Sequence, residues 1–106
     1  MMLKALFQQY FRSRENVANT IWKQIPTSTK MACGARNAVG GGNTLHFNVG
    51  RGNTQKVQVE YHPGLDLYTV RLWKFSKNYT NQKVVEERKN VYADQLGEVI
   101  YHMVNK

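Results

Sequence analysis

The chain has 106 residues, of which 42% are hydrophobic and 21% are charged, and its net charge is +8. This length fits a single domain, residues 1–106, and the near-average composition excludes disorder throughout. No apolar run approaches the roughly 20 residues that span a bilayer, and no small-residue cleavage site follows the N-terminal apolar residues. We therefore expect no membrane segment and no signal peptide. The only cysteine, Cys33, excludes an internal disulfide and favours a reducing, cytoplasmic compartment.

The positive charge is unevenly distributed along the chain. Residues 1–59 hold eight basic residues and one acidic residue, whereas the remainder holds seven basic and six acidic residues. Clustered Lys and Arg side chains release condensed counterions from nucleic acid, so the asymmetry favours a polyanionic partner. The alternative is a charge that serves solubility alone.

The N-terminal part of the chain has a helical pattern. Apolar residues recur at spacings of three and four over residues 3–11 and again from Val17 to Ile25. Ser13 is placed to cap a second helix, which predicts a break near this residue. Pro26 cannot continue a helix, so we expect the helical region to end there and a link of undefined structure to follow.

Strand patterns occupy the middle of the chain. Apolar and polar residues alternate in "TLHFNV" and "KVQVEY", with the polar, glycine-rich "GRGNTQ" between them as a hairpin loop. The turn at Pro63 and Gly64 leads to a third strand, "LYTVRLWKF". The segment "KVVEERKNV" is interpreted as a fourth strand, with helix as the alternative.

The C-terminus returns to a helical pattern. One helix face would carry Tyr92, Leu96, Val99, Ile100 and Met103, with Asp94 in the first turn. Gly97, within this helix, would allow close approach to the sheet. The predicted fold is therefore α+β: an N-terminal helix region, a three- or four-stranded antiparallel meander, and a C-terminal helix packed on one face of the sheet.

Six of the eight glycines lie within residues 34–52, which raises the question of a phosphate-binding loop. A P-loop needs a lysine and a hydroxyl residue after its last glycine, and a dinucleotide fingerprint needs a following helix. Here both Gly42 and Gly52 lead towards predicted strands. Glycines that supply positive φ in turns explain the pattern better. Arg36 and Arg51, carried on these loops, would be able to contact phosphates.

The residues that could perform chemistry are scattered. His46, His62 and His102 have no metal-binding spacing, and Cys33 lies in an apolar context typical of a buried thiol. Glu86 and Glu87 are adjacent, so on a strand they would point to opposite faces. We predict no enzymatic activity, no metal and no cofactor.

The strand "LYTVRLWKF" carries the most suggestive side chains. If Tyr68, Val70 and Leu72 face the helices, then Trp73 and Phe75 stand on the open face of the sheet beside Arg71. Aromatic rings interleaved with cations are typical of surfaces on which single-stranded nucleic acid stacks. The alternatives are a strand that is covered on both faces, or a protein interface.

The pieces "GARN", "DLYTV" and "VYADQL" together resemble a set of short proteins found in phages and other mobile elements. The resemblance covers about residues 30–100, and neither the basic N-terminal region nor Trp73-Lys74 maps onto it. It implies a setting, the cytoplasm of a host cell, and inhibition of a host defence system as one role. The matching residues are Gly34, Ala35, Arg36, Asn37, Asp66, Tyr68, Tyr92 and Asp94.

The sequence thus predicts a small, non-enzymatic binding protein whose partner is nucleic acid or the nucleic-acid groove of a nucleoprotein effector complex. The alternative is an anti-CRISPR-like inhibitor that acts by protein–protein contact. The oligomeric state is left open. The candidate binding residues are Arg12, Arg14, Lys30, Arg36, Arg51, Lys56, Arg71, Trp73 and Phe75.

Overall fold

The computed structural model describes residues 14–52, 54–76 and 81–105, and of residues 14–16 it describes the backbone alone. Three helices and five strands lie in these ranges, together with a 3-10 turn at Ala93–Gln95. The helices are α1 (Arg14–Gln24), α2 (Thr27–Cys33) and α3 (Leu96–Val104). The strands are β1 (Arg36–Gly41), β2 (Thr44–Asn48), β3 (Gln55–His62), β4 (Leu67–Phe75) and β5 (Gln82–Val91).

The five strands form one antiparallel sheet in chain order, β1-β2-β3-β4-β5, and the helices cover one of its faces. Helix α1 packs on β1 and β2, while α3 packs on β4 and β5 and also on α2. The predicted α+β class, the meander and the C-terminal helix are confirmed. The interpretation of residues 83–91 as a strand is confirmed as well.

The core lies between the helices and the sheet. The predicted helical stripe buries Ala18, Ile21 and Ile25, and the strands meet it with alternate residues such as Val57 and Val59. The predicted stripe over residues 3–11, the Ser13 cap and Arg12 lie outside the described residues.

Two elements, strand β1 and helix α2, were not predicted from the sequence. Residues 36–41 form an edge strand instead of a link, and their Gly, Ala and Asn residues gave no alternating pattern. Pro26 does end α1, but it also stands at the N-cap of the short helix α2, with φ of −60° and ψ of 145°. The extended backbone of a proline suits a position immediately before a helix.

Two glycines allow close packing of the elements. A Cβ atom on Gly40 would lie 2.2 Å from the Ala18 Cβ atom, so β1 and α1 meet where neither has a large side chain. A Cβ on Gly97 would lie 2.6 Å from Pro26 Cδ and 3.1 Å from Thr29 Oγ1. Gly97 therefore allows a close approach between α3 and the start of α2, and the expectation that it allows close approach to the sheet was wrong.

The predicted face of the C-terminal helix is only partly buried. Leu96, Ile100 and Met103 are in the core, but Tyr92 precedes the helix and is 59% exposed. Asp94 lies in the 3-10 turn that leads into α3. None of the helices in the described ranges has the length and apolar character needed to cross a membrane.

Candidate functional site

The sheet face turned away from the helices, called here the open face, carries the predicted aromatic pair. Tyr68, Val70 and Leu72 are buried against the helices, so the residues that alternate with them point the other way. Trp73 and Phe75 both lie on this open face and are half-buried. The expected arrangement of β4 is therefore the one that the structure has.

A shallow depression of about 320 Å³ marks the open face around these rings. Its floor crosses β2, β3, β4 and the start of β5, because the register places Lys56 opposite Trp73 and Gln82 opposite Phe75. The lining residues are Thr44, His46, Lys56, Gln58, Trp73, Phe75 and Gln82.

Two polar neighbours fix the positions of the rings. The Trp73 indole Nε1 donates to Gln58 Oε1 at 3.0 Å. The Lys56 ammonium lies 5.6 Å from the centre of the Phe75 ring, within the range of a cation–π contact. The depression thus combines two partly exposed aromatic faces with one cation.

Arg71, another predicted binding residue, is held by carboxylates in the middle of the open face. Its Nη1 lies 2.9 Å from Glu60 and its Nε lies 2.7 Å from Glu87. Burial lowers the pKa of Arg71, but the hydrogen bonds and charges of the two carboxylates outweigh this effect and raise it. Because two acids surround one base, this part of the face has no excess of positive charge.

Positive charge instead collects at one end of the sheet. The first residues of β1, β3 and β5 and the last residues of β2 and β4 lie at this end. The register shows this, since Arg36 pairs with Asn48 and Lys74 pairs with Lys83. The chain has no Asp or Glu in residues 27–59 or 67–85, which supply these strand ends. This region, the basic end, comprises Arg36, Arg51, Lys56, Lys74 and Lys83.

Within the basic end, Arg36 has a structural role that the sequence did not indicate. Its Nη1 donates to the carbonyls of Gly34 at 2.8 Å and Gly50 at 2.7 Å, and its Nη2 donates to the carbonyl of Gly52. The guanidinium therefore joins the start of β1 to the loop between β2 and β3. Arg51, in that same loop, is exposed.

Lys30, another predicted cation, lies in helix α2, apart from the open face. The Lys30 ammonium sits 4.3 Å from the ring centre of Trp22, and Trp22 packs edge-on against Phe47 in the helical layer. Arg12 is outside the described residues, and only the backbone of Arg14 is described. Of the nine predicted residues, the structure brings together Arg36, Arg51, Lys56, Trp73 and Phe75.

Sequence reasoning missed Lys74 and Lys83 as members of this group. Lys74 follows Trp73 directly, but Lys83 becomes its neighbour only through the pairing of β4 with β5. Gln58 was also missed, although its position on the polar side of β3 was visible in the alternation of "KVQVEY".

His46 lies at the margin of the depression, across β3 from the aromatic pair. Burial lowers the pKa of His46, and the positive charge of Lys56 lowers it further. The imidazole is therefore biased towards its neutral form, which offers one hydrogen-bond donor and one acceptor.

The other candidate chemical groups are not assembled into a site in the described ranges. Cys33 is buried, and burial raises the pKa of its thiol although the Asn105 amide opposes this shift. Glu86 pairs across the sheet with the buried Leu72 and Glu87 pairs with Arg71, so the two carboxylates point to opposite faces as expected. No cluster of three or more potential metal ligands occurs among the described residues. The absence of a metal, a cofactor and an enzymatic activity stays a prediction.

Comparison with known proteins found no relative of this chain. No protein-family model matches the chain, and neither the curated proteins nor the solved structures contain a match. The resemblance to short phage proteins stays a prediction.

Proposed function

We propose that the protein is a non-enzymatic binding module that engages nucleic acid through the basic end of its sheet. One observation carries the proposal: Lys74 and Lys83 are cross-strand neighbours, and the first acid along β5, Glu86, is already paired with Arg88. Like charges directly opposite each other on adjacent strands destabilise a sheet. A phosphate backbone placed across these lysines would relieve that repulsion and release counterions.

The neighbouring residues support an extended contact. Lys56 is on the open face, whereas Lys74 alternates with Trp73 and so projects on the opposite side of β4. Arg51 stands exposed in the adjoining loop. Positive charge thus wraps around the end of the sheet, a shape suited to a flexible strand of phosphates that passes over an edge.

The test is binding of labelled single- and double-stranded DNA over a series of salt concentrations, with a Lys74→Gln/Lys83→Gln double variant. Each lost phosphate contact lowers the slope of log K against log salt by about 0.7 for a single strand, so we expect a reduction of about 1.4. The double variant Lys23→Gln/Lys89→Gln is the control, because it removes the same net charge from two exposed positions elsewhere.

Two results would contradict the proposal. One is the absence of binding to either DNA at low salt. The other is an equal loss of slope in both double variants, which would mean that total charge acts and its position does not.

The setting that accompanies this proposal is the cytoplasm of a host cell, where nucleic acid is free or held in a nucleoprotein effector complex. In such a complex the acid-free basic end would contact exposed phosphates of the nucleic acid held in the groove, because the cations that line the groove itself would repel it.

A second candidate, a protein-directed inhibitor of a host defence system, is favoured by the edge strand β1. In the described part of the sheet β1 pairs with β2 alone, and Val39 on it is 54% exposed. An open edge of this kind accepts a strand from another protein. Capture from host lysate that survives nuclease treatment and is lost in Val39→Lys would favour this candidate over nucleic-acid binding, because an edge lysine discourages strand addition.

A further inference from the structure

We infer that the open face selects single-stranded nucleic acid by stacking an unpaired base on Trp73, an inference that rests on the proposed function. The basic end alone would bind any polyanion, since counterion release does not depend on the form of the nucleic acid. A base presents its flat surface only when it is unstacked from its neighbours, as in a single strand or loop. The depression around Trp73 offers such a base a flat partner beside the basic end.

Trp73 is held in position before any ligand arrives. Its indole N–H donates to Gln58, and the same Gln58 oxygen lies 3.5 Å from Arg71 Nη1. Arg71 is fixed in turn by Glu60 and Glu87. A side chain that is already ordered loses less freedom on binding, so this polar network prepares the ring for stacking.

The same network determines how the ring recognises a base. Because the indole N–H already has an acceptor, Trp73 offers a base its π face and not a hydrogen bond. Stacking of this kind accepts any base. The polar groups at the margin, among them Gln82 and the His46 imidazole, lie where they can contact base edges.

Phe75 and Lys56 extend the site along the strand. Phe75 follows Trp73 by two residues, which places their Cα atoms roughly 7 Å apart and both side chains on one face. Lys56 pairs with Trp73 across the strands, and its ammonium lies near Phe75. The backbone of Lys56 therefore lies beside Trp73 and its ammonium lies near the Phe75 ring, where it would contact the phosphate that links nucleotides stacked on these residues.

The experiment compares two probes of equal length and charge: an eight-nucleotide oligothymidine and an abasic strand with the same phosphates. Binding is followed in a Trp22→Phe background, which leaves Trp73 as the only tryptophan. We expect the oligothymidine to quench Trp73 fluorescence and to bind about 5- to 150-fold more tightly than the abasic strand.

Variants at Trp73 then identify the ring that is responsible. Trp73→Ala should remove the preference for oligothymidine and leave the affinity for the abasic strand unchanged. Trp73→Phe should keep part of the preference, because a phenyl ring still stacks, and it guards against the chance that the alanine variant is misfolded. Both variants are followed by polarisation of a labelled strand.

Three outcomes separate this inference from the proposed function. A preference for oligothymidine that depends on Trp73 supports both. Equal binding of the two strands without quenching overturns the stacking inference but leaves the electrostatic proposal standing. Failure of both strands to bind at low salt overturns both.

Discussion

The guanidinium of Arg36 donates to the carbonyls of three glycines, Gly34, Gly50 and Gly52, that share an uncommon backbone conformation. Their φ angles are 66°, 69° and 74°, in the left-handed region that favours glycine. The loops can therefore turn sharply at these residues and bring three carbonyls to one cation. The sequence predicted only that Arg36 would be able to contact phosphates, and the structure joins its guanidinium to the carbonyls of these glycines.

Replacement of Arg36 by lysine should destabilise the fold. A lysine ammonium is a compact point charge that cannot reproduce the planar fork of donors, so we expect a loss of about 1–2 kcal/mol in the free energy of unfolding. Denaturant-induced unfolding measures this loss. Arg51→Lys, in the exposed loop nearby, is the control and should change stability by less than about 0.5 kcal/mol. Equal stability of Arg36→Lys and the parent would show that the carbonyl contacts contribute nothing.

His46 should make stability depend on pH. Its pKa in the folded protein lies below the ordinary value of 6.5, because burial and Lys56 disfavour the charged form. As the pH falls through 6.5 the unfolded chain takes up a proton before the folded chain does, so stability is highest above this pH and decreases below it. Since His46 is only partly buried, we expect a change below about 1 kcal/mol.

Chemical unfolding of the parent and His46→Gln at pH 7.5 and pH 5.5 isolates this contribution from that of other groups. The parent should lose more stability than the variant on acidification. A parent that loses no more than the variant would exclude His46 as the source.

Between elements, α3 packs closely against the start of α2. Thr29 Oγ1 donates to the Gly97 carbonyl at 3.5 Å, between residues 68 positions apart in the chain. The pyrrolidine ring of Pro26 covers Gly97 on the same side. Both contacts require that residue 97 has no side chain.

Gly97→Ala should therefore destabilise the protein, which is the opposite of the usual effect of replacing a helical glycine by alanine. In an exposed helix, alanine in place of glycine gains about 1 kcal/mol. Here the added Cβ meets a rigid ring at 2.6 Å, and we expect a loss of about 1–3 kcal/mol because the helices must separate. Thermal unfolding measures this loss of stability, and Glu98→Ala, at the exposed neighbouring position, is the control. Addition of Pro26→Ala should recover part of the loss, and a stabilised Gly97→Ala protein would refute the contact.

Much of this element-level arrangement could be predicted from periodicity. The alternation in β2, β3 and β4 identified which side chains are buried, and with it the face on which Trp73 lies. Strand β1 was not predicted, because it is an edge strand of small residues with both sides exposed along most of its length. The ion pairs of Arg71 were not predicted from the sequence either, for another reason. Its partners are 11 and 16 residues away, and only the register across three strands brings them together.

At the scale of the whole molecule, the acidic and basic side chains of the described strands lie in different parts of the sheet. The acids of the described strands are engaged near the middle of the open face or on β5, while the basic end has cations alone. The charge of the described strands is therefore concentrated at one end of the sheet. A polyanion would be drawn first to this end and would then meet the aromatic depression beside it, so electrostatic attraction and base stacking would act in sequence on one ligand.

The agreement between strand order and chain order also bears on how the molecule folds. Each of the four strand pairings joins neighbours in the sequence, so the sheet can form by closing one short loop after another, which costs little chain entropy. The long-range step is the return of α3 to α2, where Thr29 meets Gly97. The meander is thus a folding unit that can precede the docking of the C-terminal helix, and the nucleic-acid surface proposed here belongs to the part that assembles from local contacts.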